Sequence, residues 1–280
     1  MSTNPSNFIS KYDSPLKELY ERLGIFNRSL QDHCFNCENC WKAAQEGKWN
    51  RDDIEECIDE HGTDPTHIYL PWIGPRYEET RLLALGINMN QFGGLNSLRE
   101  LVSPWVKKDL ADGKTRILKN DNYSGTFYWH RVPSYVLALL ERDGIVQPEW
   151  TDSGFPNAAD LANALDYFAI TNSIKCAPRW HKSKPTADMW QHCPGEILRE
   201  ELRILLPKKL LILGHTDNYY YFNAQVLDKG TNKLDIDKGY LKKGSGKIDG
   251  REVEFFVIVH PTARGGNSHA LMRELRELPG

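Results

Sequence analysis

Lys209-Leu210-Leu211-Ile212-Leu213-Gly214 is a continuous apolar run that closes on a glycine. A half-buried strand alternates apolar and polar residues, but this run does not. It reads as a strand buried on both faces, which is the habit of parallel sheets. Three other stretches share the pattern. Arg81-Leu-Leu-Ala-Leu-Gly86 precedes it, as does Tyr167-Phe-Ala-Ile-Thr171, and Glu254-Phe-Phe-Val-Ile-Val259 follows. Helical spacing fills the intervals: residues 15–60 (Leu16, Leu19, Tyr20, Leu23), 95–142 with interruptions at Pro104 and near Asn120, 196–206 (Ile197, Leu198, Leu202, Leu205) and 268–277. Strands alternating with helices predict an α/β fold, a three-layer α/β/α sandwich around a central four-stranded parallel sheet. Residues 148–160 read as a connecting loop. The glycine-bearing polar stretch 219–252 reads as a β-hairpin excursion.

At 280 residues, 40% hydrophobic and 26% charged, the chain can bury a substantial core. Residues 1–75 are expected to form an N-terminal helical segment carrying a cysteine cluster and packed on the main domain. Residues 76–280 are expected to form that α/β domain, with insertions near 103–150 and 217–252. No apolar run approaches the roughly 18–20 residues of a membrane span; the longest are short, such as Phe255–Val259. Met1–Ser10 lacks a charged-then-apolar leader pattern, so the expected location is the cytoplasm; a monomer with no membrane partner is expected. A net charge of −3 excludes a general nucleic-acid coat, so contact with DNA would need a local basic patch.

In such a sheet ligands bind beyond the carboxyl ends of the strands. Distinctive polar residues follow all four runs: Gly86-Ile87-Asn88-Met89-Asn90-Gln-Phe92, Thr171-Asn172-Ser173-Ile-Lys175-Cys176, Gly214-His215, and His260-Pro-Thr262-Ala-Arg264. The segments Gly86-Ile-Asn88, Ile170-Thr-Asn172-Ser-Ile-Lys-Cys-Ala-Pro178, Leu213-Gly214 and His260-Pro-Thr262 resemble, in order, the motifs of uracil-DNA glycosylases. The first is similar to the water-activating loop of the mismatch-specific and single-strand-selective branches. The last resembles the His-Pro-Ser loop, and the Asn-x-x-Lys-Cys-x-Pro stretch with Cys193 resembles the thermostable iron–sulfur branch. The resemblance covers residues 81–270 and the N-terminal cysteines. It departs from the family at Met89 and Asn90, which stand where Pro-Gly is usual.

The resemblance implies a DNA glycosylase of base excision repair, acting on DNA that contains a damaged base. Asn88 would hold the attacking water; its amide orients water but accepts no proton, so it forgoes the roughly 10²–10⁴-fold of general-base catalysis. His260 would donate to the departing base. Asn172 would read the Watson–Crick edge of the flipped base. Gly86 and Ile87 would line the pocket, and Phe92 would stack on the base, a contact worth about 1–3 kcal/mol. Arg264 would fill the vacated stack or contact a phosphate. Lys175, Arg179, His181, Lys182 and Lys184 would grip phosphates. An alternative on the same fold is a catalytically weak protein that captures a nucleobase or nucleic acid.

The six cysteines are Cys34, Cys37, Cys40, Cys57, Cys176 and Cys193. In a reducing compartment such clustering points to metal binding or redox chemistry rather than disulfides. The resemblance implies a [4Fe–4S] cluster held by Cys37, Cys40, Cys176 and Cys193. Cys34 is in reserve for one of the first pair, and a four-cysteine zinc site would use the same ligands.

Overall fold

The computed structural model describes residues 10–23, 70–87, 98–116, 127–175, 185, 187–261 and 268–279. Helix α1 spans Asp13–Arg22; its apolar residues Leu16, Leu19 and Tyr20 recur at helical spacing and all three are buried. Then come the two-residue strand β1 (Trp72–Ile73), the single-turn helix α2 (Tyr77–Thr80) and strand β2 (Leu82–Gly86). Helix α3 (Leu98–Leu101) runs through a π-helical turn, Val102–Val106, into α4 (Lys107–Ala111). Helix α5 (Tyr128–Arg142) and helix α6 (Ala158–Ala164) lead to β3 (Phe168–Asn172). Helix α7 (Ala187–His192), a π-helical turn at Cys193–Leu198 and α8 (Arg199–Leu205) lead to β4 (Lys209–Leu213). Helix α9 (Asp217–Tyr221), a third π-helical turn at Phe222–Val226, and strands β5 (Lys233–Asp237), β6 (Leu241–Ile248) and β7 (Arg251–Ile258) follow, and α10 (Ser268–Glu277) comes last.

The strands form one sheet in the order β1-β3-β2-β4-β7-β6-β5. Its centre is the expected set of four parallel strands, β3, β2, β4 and β7. The sheet is larger than four strands, because β1 adds antiparallel to β3 on one edge while β6 and β5 add antiparallel to β7 on the other. The expected hairpin excursion is therefore a continuation of the sheet. Its backbone hydrogen bonds are taken up by β7 instead of being left to solvent.

The buried strands alternate between two cores, as the pleat requires. Leu82 and Ala84 of β2, Phe168 and Ile170 of β3, and Leu211 and Leu213 of β4 face a layer containing Val132, Val136 and Leu140 of α5 together with Leu271 and Leu275 of α10. Leu83, Leu85, Ala169, Leu210 and Ile212 face the opposite layer, with Leu16 of α1 and Leu202 and Leu205 of α8. Two helical layers on one sheet make the α/β/α sandwich. The β2–β3 connection packs on the first face and the β3–β4 connection on the second. The chain thus changes faces at the β2/β4 boundary, the kind of crevice in which open α/β sheets bind ligands.

Residues 24–69, with Cys34, Cys37, Cys40 and Cys57, lie outside the described residues. So do Asn88, Phe92, Cys176 and Arg264. Among the described residues no helix is long and apolar enough to cross a membrane.

Candidate active site at the strand ends

Register brings the strand ends to one level. Gly86 pairs with Asn172, Leu85 with Ile212, and Leu213 with Ile258. The ladder runs on past β3, where Ser173 N–H donates to the Gly86 carbonyl at 2.9 Å and Ile174 N–H to the Ile87 carbonyl at 2.8 Å. The loop after β3 is thereby held against the loop after β2.

Gly86 is glycine because its neighbours fill the space a side chain would take. A methyl group there would overlap Asn172 Oδ1 and lie 3.2 Å from the hydroxyl of Tyr128. Asn172 is buried, and its side chain is aimed across β2 at this point. Tyr128, the first residue of α5, also reaches His260, its ring centroid 6.1 Å from the imidazole with the planes tilted by 36°. Gly86, Tyr128, Asn172 and His260 thus converge from β2, α5, β3 and the end of β7.

Burial sets the protonation of this group. It pushes the Tyr128 phenol above its usual range, so the hydroxyl stays protonated. It lowers His260 below the ordinary histidine value. Near neutral pH the imidazole is uncharged, with one N–H to donate and one nitrogen to accept. The loop carrying His260 is anchored by Arg131 of α5, whose Nη1 donates to the Pro261 carbonyl.

The β2/β4 crevice is closed by a residue that no motif or spacing singles out. Asn218, in α9, is buried, and its Nδ2 donates to the carbonyls of Leu85 at 3.1 Å and Leu213 at 3.0 Å. Its Oδ1 accepts from Ser173 Oγ. One amide therefore ties three strand ends together. Gly214, at φ +117°, makes the turn that admits it, and Ile87 packs within 3.2 Å of the position its Cβ would take. His215 beside it is exposed.

Lys175 corrects an expectation. Its place in a basic run predicts a phosphate-gripping cation, yet its side chain is 3% exposed and ion-paired with Glu201, whose side chain is wholly buried. Its charge is turned into the protein rather than toward a nucleic acid. Arg179, His181, Lys182 and Lys184 lie outside the described residues.

Of the proposed metal ligands only Cys193 is described. Its side chain is buried, within electrostatic reach of Lys175 and Tyr20. Among the described residues no group of three or more His, Cys, Asp or Glu side chains is placed to hold a metal ion.

A cavity of about 280 Å³ opens beside this site along the adjacent face of α5, where Phe127, His130 and Arg131 meet Phe155 and His269. Phe155 sits between two imidazoles, 4.8 Å from His130 and 4.4 Å from His269.

Compared with models of protein families, residues 117–277 match the uracil DNA glycosylase superfamily. The match takes in Tyr128, Asn172, Cys193, Asn218 and His260, and begins after Gly86. A search of curated proteins found no match.

Proposed function

The chain belongs to the uracil DNA glycosylase superfamily, and from that premise we propose that it excises uracil or a related deaminated base from DNA. Water adds to C1′ of a flipped nucleotide, the N-glycosidic bond breaks with its electron pair leaving on the base, and the proton that the water gives up ends on the departed base anion by way of solvent. The observation that carries this reading is the convergence of Gly86, Tyr128, Asn172 and His260 at the carboxyl ends of the parallel strands.

Asn172 offers both an amide donor and a carbonyl acceptor, the complement of the O4 and N3–H edge of uracil. The neutral His260 donates to the carbonyl oxygen on which the departing base gathers charge. Placed donors of this kind contribute roughly 10²–10³ in rate. Asn88, two residues beyond the Gly86 end of β2, orients the water; Phe92 stacks on the base, and Arg264 meets the DNA. Water rather than an amine is the nucleophile, so the reaction is monofunctional.

Cys193, with Cys37, Cys40 and Cys176, is proposed to hold a [4Fe–4S] cluster. The supporting observation is the position of Cys193, buried and within electrostatic reach of the residue that immediately precedes Cys176. A cluster there supplies a structural tie between the N-terminal segment and the loop after β3. Broad visible absorption, lost in Cys176→Ser and in Cys193→Ser, supports iron–sulfur. A colourless protein carrying zinc contradicts it.

The activity is tested on labelled single- and double-stranded oligonucleotides bearing uracil, hypoxanthine or xanthine, treated with alkali to break abasic sites. Cleavage that is lost in Asn88→Ala and His260→Ala supports the assignment. Retention of the oligonucleotides with none cleaved favours a binding protein instead.

A further inference from the structure

Behind the base-reading end of β3 lies a charged network in which each donor has a defined acceptor. Lys175 Nζ donates to the Asn172 carbonyl at 2.6 Å, to Thr171 Oγ1 at 3.0 Å and to Glu201 Oε2, which uses all three of its ammonium protons. Thr171 Oγ1 donates in turn to Glu201 Oε2 at 2.9 Å. Glu201 Oε1 accepts the hydroxyl of Tyr20, which is fully buried on α1. The network joins three elements distant in sequence: α1, the β3 end and α8.

A buried ion pair is a poor device for stability alone. Desolvation of two charges offsets most of their attraction, and an apolar pair of similar volume often holds a fold as well. What an apolar pair does not supply is a directed donor on the main chain of Asn172. We propose that Lys175, Glu201 and Tyr20 are positioning residues, a relay that fixes the backbone of Asn172 and so aims its amide at the base. The proposal rests on the assignment of Asn172 as base reader. It ties the accuracy of that reading to the docking of α1, which would otherwise lie remote from the pocket.

Two variants test it, Tyr20→Phe and the paired replacement Lys175→Met with Glu201→Leu. Each is followed by three measurements: thermal unfolding, the uracil-to-hypoxanthine ratio of kcat/KM, and the 15N side-chain amide signal of Asn172 in the DNA-free protein. The expected result for the paired replacement is a folded protein whose Asn172 amide signal moves or broadens. Its kcat/KM on uracil falls by about 10²-fold, the scale of an ångström of misplacement, and its preference between the two bases narrows. Tyr20→Phe shows the same changes at smaller size. If the paired replacement does not fold, Tyr20→Phe alone decides. An Asn172 signal and a base preference unchanged in the folded variants overturn the relay. A wild-type protein that cleaves neither base overturns the functional reading instead, and the Asn172 signal still reports on the relay by itself.

Discussion

Gly86 and Asn172 stand opposite each other in the β2–β3 register, and the side-chain oxygen of Asn172 occupies the space that a methyl group on residue 86 would need. The absent side chain at one position thus sets the direction of the amide at the other. Gly86→Ala is expected to push the Asn172 amide aside, lowering kcat/KM by about 10²-fold while the protein still unfolds cooperatively. Steady-state rates and a thermal melt on the same preparation check this.

His260 is held below its usual pKa by burial and is uncharged at neutral pH. The donor is then a neutral imidazole, so taking the pH from 8 toward 7 should leave the rate on uracil nearly flat with respect to this group. His260→Ala should lose roughly 10²–10³ in kcat. A pH–rate profile of both proteins distinguishes this from a charged imidazolium, whose contribution would grow as pH falls through 6.5.

Burial, together with the Arg131 charge, lowers the pKa of His130 to about 4. Unfolded, the same residue takes its proton near 6.5. Between those values the unfolded chain binds the extra proton, so stability is complete above pH 6.5 and falls as the pH drops toward 4. The full loss is about 3 kcal/mol, since one pKa unit corresponds to roughly 1.4 kcal/mol. Urea midpoints at pH 7, 5.5 and 4.5 should decline in that order, and His130→Phe should flatten the decline.

Arg131 Nη1 donates to the Pro261 carbonyl, next to His260. Arg131→Met keeps the aliphatic stem but releases that turn. It should reduce kcat by up to about 10²-fold with little change in unfolding, whereas loss of packing alone would lower both together. Parallel kinetic and urea-unfolding curves check it.

The four central strands were legible because double burial leaves an uninterrupted apolar signature, and each lies within a few residues of its expected bounds. Strand β1 was not legible: two residues between Pro71 and Gly74 carry too little pattern to be read. The hairpin within 219–252 was legible, but the composition of β6, Leu-Lys-Lys-Gly-Ser-Gly-Lys-Ile, hid its continuation of the sheet through β7. A side chain at Gly244 would collide with the ring of Phe255 on β7, and one at Gly246 would press on Leu227. Bulk on Phe255 and Leu227 takes the place of bulk on β6, so its own residues do not announce that it pairs with β7.

At the candidate site, the placement of Gly86, Ile87, Asn172 and His260 at strand ends was legible. Tyr128 and Asn218 were not, because each acts through a contact that spacing does not encode. The burial of Lys175 is illegible for a related reason: a cation in a basic run looks solvated until its partner is known, and Glu201 lies 26 positions on.

The central claim is that these strand ends enclose one flipped, deaminated base and release it. The most direct measurement is mass spectrometry of the products from a uracil-containing oligonucleotide incubated with the full-length protein. Free uracil and an equal amount of strand carrying an abasic site, with its phosphodiester backbone unbroken, is the predicted outcome. Oligonucleotide recovered with its uracil attached, or a cut backbone with no free base, would contradict it.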